Sequence, residues 1–390
     1  MLLLRLSAAA SHSMKEFFSQ PGPAEISLCV FLFFLLIHLT WLLFFYLRTA
    51  LHKNVPAELN EFPPVSVVIC SRSEASKLVE HLPFIFNQDY PDFEVVVVND
   101  RSWDDTKEIL KAFQVKYSNL KVITIEESNH DHKGKKMALT IGIKGANNEV
   151  LLMTDADCKP LSRNWIREMV KGYGKDKKMV LGFSPYKREK SFLNKLIRFD
   201  TFLAAINYFS FAKAGIPYMG VGRNLSYKKQ LYFDNSGFKN HYHISSGDDD
   251  LFVNEAATSK NVSVVITRDA FTESLPKTTF KDWFRQKKRH FTTAPYYRLK
   301  HKLLLGLWPL GFFVMLATSV ILLVLNKYLL IILAGWFLRL LLQMVIFSLS
   351  MKRLGEKDLL WMSPFLEVLF FFLHPVIFFS NKFVKADKWN

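Results

Sequence analysis

Four apolar blocks, one near the amino end and three after Lys302, constrain this chain more than any other feature. Crossing a bilayer core as a helix takes about 20 consecutive apolar residues. Ile26–Leu47 meets that demand without a charge, and only His38 and Thr40 are polar near its centre. The blocks 303–325, 328–350 and 359–379 are long enough as well. Between Lys53 and Lys302 no segment is. The mean hydropathy of +0.09 fits such a mixture, being too low for a chain made wholly of spans. With 50% hydrophobic residues and 36 phenylalanines, a disordered chain is excluded.

The flanks orient these blocks. Arg48, His52 and Lys53 follow the first one, and basic residues collect on the cytoplasmic side. Leu2–Ala10, with Arg5, is short for a signal peptide and no cleavage site precedes the apolar run, so Ile26–Leu47 reads as a retained anchor. Lys352, Arg353 and Lys357 in the loop Met351–Asp358 belong on the same side. Three crossings after Lys302 would set the basic tail, Lys382, Lys385 and Lys388, on the opposite one. Either the last block does not cross or the tail breaks the rule. That block carries Glu367, Pro364 and Pro375, and a re-entrant or interfacial segment is its alternative reading. Arg339 and Gln343, one helical turn apart, should face a protein interior. The expected organisation is a segment 1–53 with its anchor 26–47, a cytoplasmic part 54–302, and a membrane region 303–390. The whole is a multi-pass protein of the cell membrane.

The part between the spans reads as α/β. Short β-branched runs, Val65–Cys70, Phe93–Val98, Lys121–Ile125 and Val150–Thr154, alternate with helical stretches at 76–87, 104–117 and 135–146. Continuous apolar strands alternating with helices predict a mainly parallel sheet covered on both faces. Ligands bind such sheets beyond the carboxyl ends of the strands. There stand Ser71-Arg72-Ser73-Glu74, Asn99-Asp100-Arg101-Ser102 and Asp155-Ala156-Asp157. Each cluster alone could merely cap the following helix; three on one edge point to a site.

Several classes drop out. Cys29, Cys70 and Cys158 lie far apart, with neither disulfide nor zinc spacing. No GxGxxG follows the first strand and no GxxxxGK[ST] occurs, against dinucleotide oxidoreductases and P-loop ATPases. Gly220-Val221-Gly222-Arg223-Asn224 follows no βαβ strand and reads as a close-approach loop. The formal charge of +16 admits nucleic acid, anionic headgroups or a phosphorylated substrate. The basic run Arg285–Arg298 abuts an apolar block, so headgroups are the nearer anions and nucleic acid is not expected.

Asp155 and Asp157, two residues apart after a buried strand, can share Mg²⁺ or Mn²⁺ with a diphosphate, and Lys135 or Lys133 can add positive charge. Gly247-Asp248-Asp249-Asp250 sets three carboxylates before a helix expected at 251–258. Their repulsion can lift one of them into the range of a base, although an acidic helix start would look the same. Gln286-Lys287-Lys288-Arg289-His290 stands in the basic, aromatic stretch before the second apolar block.

In order and spacing these motifs resemble the family 2 glycosyltransferases with a GT-A fold. The likeness is to the membrane-anchored branch that includes cellulose, chitin, hyaluronan and poly-N-acetylglucosamine synthases. The resemblance covers roughly Pro64 to Tyr297 together with the arrangement of spans. It implies that Ser71, Arg72, Glu74, Asp100, Lys135 and Asp155 bind a nucleotide-sugar, with Glu74 and Asp100 on the uridine. Asp157, with Asp155, would hold the divalent metal. Gly222, Arg223, Asn224 and His290 would serve the acceptor side, and Gln286 and Arg289 match the Q-x-x-R portion of Q-x-x-R-W. Asp249 matches the second acid of the family's acidic pair, the general base, ahead of Asp248 and Asp250. His290 stands where the motif carries Trp, which puts a processive polymerase in doubt. The implied activity is inverting, metal-dependent transfer from a nucleotide-sugar, a UDP-sugar in the leading reading, to a saccharide acceptor. It would act at the cytoplasmic membrane face, in polysaccharide or glycoconjugate synthesis, with membrane lipid and other polysaccharide-assembly proteins as partners. The alternatives are transfer of one sugar to a polyprenyl phosphate and a non-catalytic scaffold of polysaccharide export. Ser191–Ala212 is either an interfacial helix or core.

Overall fold

The computed structural model describes residues 21–53, 61–126, 134–174 and 176–383. Leu2–Ala10, Lys133 and the side chains of Lys382, Lys385 and Lys388, invoked above, lie outside them. The described residues form two compact units: Leu303–Ile346 cluster with residues 21–44, and residues 347–383 cluster with the described part of 45–302.

The larger unit begins with β1 (Val65–Ser71), α1 (Ala75–Phe86), β2 (Phe93–Asp100), α2 (Thr106–Lys116), β3 (Leu120–Ile125), α3 (Lys135–Gly145) and β4 (Val150–Asp155). It continues through β5 (Cys158–Pro160), α4 (Trp165–Val170), β6 (Met179–Leu181), α5 (Phe192–Lys213), β7 (Leu225–Lys228) and α6 (Lys229–Asp234). Then come α7 (Asp250–Ala256), β8 (Val262–Val264), β9 (Thr272–Ser274) and α8 (Phe280–Phe291). Seven strands form one mixed, mostly parallel sheet in the order β3-β2-β1-β4-β7-β6-β8, with β7 antiparallel to β4 and β6. Every residue of β1 is buried, as its unbroken apolar run requires. The crossover direction reverses beside β1, between β2 and β4, which opens the crevice where such sheets bind ligands.

The strands run one or two residues further than the apolar pattern predicts. Ser71 pairs with Asn99, Cys70 with Asp155, and Asp100 with Ile125, all inside parallel ladders. Ladder hydrogen bonds need only backbone, so polar residues extend a strand at no loss of pairing. As a result Ser71, Asn99 and Asp100 are almost fully buried instead of capping helices from loops. The helix expected at 251–258 is Asp250–Ala256, and Asp249 caps it by accepting from the Asp250 N–H.

The segment at 191–212 is core over most of its length. Ser191 caps α5 by accepting from the Asn194 N–H, and Phe199, Phe202, Phe209 and Phe211 are fully buried. Two charges in its middle are buried with partners. Arg198 makes hydrogen-bonded ion pairs with Glu356 and Asp358. Asp200 accepts from Lys287 at 2.6 Å and from His374 at 3.0 Å. Burial alone would raise the Asp200 carboxyl, but Lys287 and His374 more than reverse it and hold it below the usual carboxylate range.

Four helices are long and apolar enough to cross a membrane: Pro23–Ala50, Leu299–Val324, Leu329–Leu354 and Lys357–Asn381. The last is continuous through Pro375, and Pro364 sits in its first α-helical turn, where proline breaks no bond. Its length and composition therefore suit a crossing better than the re-entrant segment considered above. In the smaller unit Arg339 and Gln343 face inward as expected. Arg339 Nε donates to His38 Nδ1 at 3.1 Å and its Nη1 to Gln343 Oε1 at 2.9 Å, and His38 stacks on Trp308.

Replacing Arg198 by Met strands the buried Glu356 beside Asp358. Leaving one buried charge uncompensated costs about 3–5 kcal/mol. The full chain in detergent should unfold at correspondingly lower denaturant, and adding Glu356→Gln should restore most of the loss.

Candidate active site at the carboxyl edge of the sheet

The carboxyl ends of β1, β2 and β4 meet the turn before α7 around a cleft lined by Cys70, Lys135, Asp155, Gly222, Asp248 and Asp249. Lys135 is the hub. Its Nζ lies 2.8 Å from Asp155 Oδ1 and 3.1 Å from Asp248 Oδ2. Burial alone would lower the ammonium's pKa; Asp155, Asp248 and Asp249 together raise it well above the usual lysine value. The same contact runs in reverse at Asp248, where burial would raise the carboxyl and Lys135 brings it below its ordinary value.

The three consecutive acids do three different things. Asp250 is buried and accepts from Thr293 Oγ1 at 2.5 Å and Tyr297 Oη at 2.7 Å, fastening the segment after α8. Asp248 pairs with Lys135. Asp249 is half-buried and accepts from the Gly222 N–H at 2.8 Å. Its carboxyl is pushed up to about 7, chiefly by burial, then by Asp248 and Asp250, against the pull of Lys135 and the Gly222 N–H. Two glycines make this possible. Gly247 has φ +95° and no room for a Cβ beside Leu251, so the tight turn into the acids demands glycine. At Gly222 a Cβ would stand 3.4 Å from Asp249, which is how closely this loop approaches the carboxylate.

At the carboxyl ends of β1 and β2 three buried polar atoms have no hydrogen-bond partner among the described residues: Ser71 Oγ, Asn99 Oδ1 and Asp100 Oδ2. The other Asp100 oxygen accepts from Arg101 at 2.7 Å. Buried polar atoms are rarely left unsatisfied, so this edge is shaped for a polar ligand. Arg72 lies 5.6 Å from the ring of Trp103, which is 73% exposed. Glu74 is partly exposed and pairs with Lys77 at 2.5 Å.

Oxygen atoms of Asp155 and Asp157 and the Cys158 sulfur lie within 4.8 Å of one another. Among the described residues Asp157 receives only long contacts, 3.4 Å each, from Cys158 Sγ and Ser274 Oγ. Two carboxylates with free lone pairs at the strand end fit a hard divalent cation.

The acceptor-side expectations divide. Arg223 lies over the Tyr186 ring at 4.3 Å, and Gln286 Nε2 donates to Tyr186 Oη at 3.4 Å. Tyr186 thus joins two of the expected residues, although no sequence signal marked it. Arg289 is partly exposed on α8, and its carbonyl accepts from Ser246 in the acidic loop. His290 is exposed on the same helix. Asn224 is the correction. It is fully buried, accepts from Trp165 Nε1 at 3.0 Å and donates to the Phe183 and Ala270 carbonyls at 2.8 and 2.7 Å. With both amide hydrogens donated to core carbonyls and its oxygen buried against Trp165, it braces the loop instead. Lys136 was also missed. Buried, with its pKa lowered to about 8 by that burial, it donates to the His241 and Ile244 carbonyls beneath the acidic loop.

Asn224→Ala should therefore behave as a stability variant. It leaves the Trp165 N–H and two buried carbonyls unpaired, at about 1–3 kcal/mol for each group left unsatisfied. Thermal unfolding of the full chain should show the loss, whereas nucleotide affinity of the folded fraction should be unchanged.

Comparison with known proteins bears on the family and the fold. The model "Glycosyl transferase family 2" matches residues 66–232, and "Glycosyl transferase family group 2" matches 150–377, more than half of the chain. The probable glycosyltransferase YdaM of Bacillus subtilis is 30% identical over 188 residues, 44% of this chain and 44% of its own. A poly-beta-1,6-N-acetyl-D-glucosamine synthase of Staphylococcus epidermidis is 30% identical over 103 residues, 26% of this chain and 24% of its own. The match thus spans less than half the length of these curated relatives. Among solved structures, the mannosyltransferase PcManGT of Pyrobaculum calidifontis, in complex with GDP-Man and Mn²⁺, aligns at TM-score 0.54 and 19% identity. That alignment covers 87% of this chain and 97% of that one, which shows a shared fold. The non-catalytic scaffold is thereby overturned: the chain belongs to the family 2 glycosyltransferases, enzymes of GT-A fold, and is membrane-anchored by its apolar helices.

Proposed function

We propose that this chain transfers a sugar, with inversion, from a UDP-sugar to a hydroxyl of a saccharide acceptor at the cytoplasmic face of the membrane. The observation that carries the reading is Asp249, a half-buried carboxylate with a pKa near 7, held by the Gly222 N–H beside the Lys135–Asp155 pair. A group that titrates near neutrality is ionised often enough to accept a proton and basic enough to hold it.

Asp249 takes the proton of the acceptor hydroxyl as its oxygen attacks the anomeric carbon. The bond from that carbon to the diphosphate oxygen breaks on the opposite face, and UDP leaves with the electron pair. Lys135 and Arg289 offset the charge that builds on the leaving group. Ser71, Asn99 and Asp100 have buried atoms open to hydrogen bonds from the nucleoside, and Arg72 closes the same edge. Asp155 and Asp157 would hold a Mg²⁺ or Mn²⁺, which when bound supplies charge neutralisation for the diphosphate. Arg223, Gln286 and His290 serve the acceptor, with Tyr186 positioning the first two.

Membranes bearing the chain, offered UDP-, GDP- and dTDP-sugars with Mn²⁺ or EDTA, should release UDP in a metal-dependent way. Product size then separates a saccharide ladder from a single sugar on a polyprenyl phosphate, the reading that His290 in place of Trp favours. Asp249→Asn should lower kcat by about 10²–10⁴-fold, the usual worth of a general base, with UDP binding intact. If Asp248→Asn abolishes turnover while Asp249→Asn does not, the base is misassigned. The pH profile offers a second check. Because the ionised form of Asp249 is the active one, kcat/KM should rise with pH through about 7 and level off above it. A rate independent of pH between 5.5 and 8.5 would contradict the assignment.

A further inference from the structure

Away from the sheet edge, a second groove is lined by Arg188, Lys190, Ser191, Lys195, Arg198 and Asp358, with Glu189 at its side. Its charges are unevenly matched. Arg198 is held by Glu356 and Asp358, and Arg188 by Asp358 and the Gly355 carbonyl. Lys190 and Lys195 have no hydrogen-bonding or ion-pairing side-chain partner among the described residues, and Glu189 is the one carboxylate left in the lining. The groove thus presents two ammonium groups, the Ser191 hydroxyl and the exposed Arg188 guanidinium, while Arg198 beneath them is committed to Glu356 and Asp358. That set suits a phosphate monoester or diester, with Arg188 braced and the lysines free to close on it.

The position of the groove names the source of that phosphate. Asp358 is the second residue of the apolar helix Lys357–Asn381, so this wall of the groove begins where a membrane span begins. Phe192 in its lining is 52% exposed, and on the helix that follows Asp358 so are Trp361 at 86% and Phe365 at 61%. Basic residues flanked by exposed aromatic ones at the start of a span are the pattern of a headgroup layer. On these grounds we infer that the groove binds the phosphate of a membrane lipid headgroup. The inference rests on the reading of Lys357–Asn381 as a membrane span and not on the choice of Asp249 as base. The lining segment starts two residues after Tyr186, which carries Arg223 and Gln286. Two lipids share the required chemistry: an anionic phospholipid of the bilayer and a polyprenyl phosphate.

The test uses the full chain reconstituted in phosphatidylcholine bilayers containing phosphatidylglycerol, or polyprenyl phosphate, and reads the lipid retained after gentle extraction by native mass spectrometry. Wild type should retain the anionic lipid over phosphatidylcholine. Lys190→Gln/Lys195→Gln should lose about five-fold in retention per lysine, the factor expected for a basic residue near an anionic surface. The charge-reversed Lys190→Glu/Lys195→Glu should lose more. Both lysines reach solvent, so an unchanged thermal midpoint in detergent shows that the variants are folded. The lipid that displaces the other at the smaller amount identifies the source. Equal retention by wild type and both variants overturns the inference, as does displacement by inorganic phosphate as readily as by the lipids, which would mark a site for free anions. Lipid retention is read without turnover, so failure here and failure of the transfer assay are separate results.

Discussion

The contact on which the site depends is the ammonium of Lys135 set between Asp155 and Asp248. These carboxylates come from β4 and from the turn before α7, far apart in the chain, and both are brought to one crevice by the sheet. Without a cation between them they would repel at short range in a poorly solvated place. With it, Asp248 stays ionised and the loop stays closed against the strand end. The pairing also explains the division of labour among the acids. Lys135 takes Asp248, Thr293 and Tyr297 take Asp250, and Asp249 is left with two backbone donors, the Gly222 and Asp250 N–H groups, and no side-chain one. A carboxylate between two others, with the least compensation, is the one whose proton is held longest.

The same logic of paired charges recurs where α5 passes through the larger unit. Arg198 and Asp200 stand two residues apart on one buried helix and reach different partners. Through Asp200, Lys287 on the helix of Gln286 and Arg289 is tied to His374 on the last apolar helix. Buried ion pairs of this kind add little net stability, but breaking one partner is costly, so they fix which helix sits where.

Much of this was legible from residues alone where a simple period or spacing carried the signal. The runs 65–70, 93–98, 121–125 and 150–154 mark the parallel strands, and the apolar blocks mark the four long helices. The polar residues following each strand gather on one edge, because in a parallel sheet the ends of neighbouring strands must coincide. What failed did so for identifiable reasons. Asn224 sits inside a motif-like tripeptide, yet its amide meets Trp165, Phe183 and Ala270, three partners from distant parts of the chain. Tyr186 lies in an irregular segment with no period at all, and its use comes from Arg223 and Gln286 converging on it.

Local chemistry along the chain thus established the kinds of group available: hard oxygen ligands at Asp155 and Asp157, a run of three acids, a buried-strand scaffold and lengths of grease suited to a bilayer. Which acid is poised near neutrality was a matter of three dimensions. A pKa depends on burial and on charges within a few ångströms, and adjacent aspartates have nearly identical sequence surroundings. The choice among Asp248, Asp249 and Asp250 was made by Lys135, Gly222, Thr293 and Tyr297, which packing brings from three separate segments.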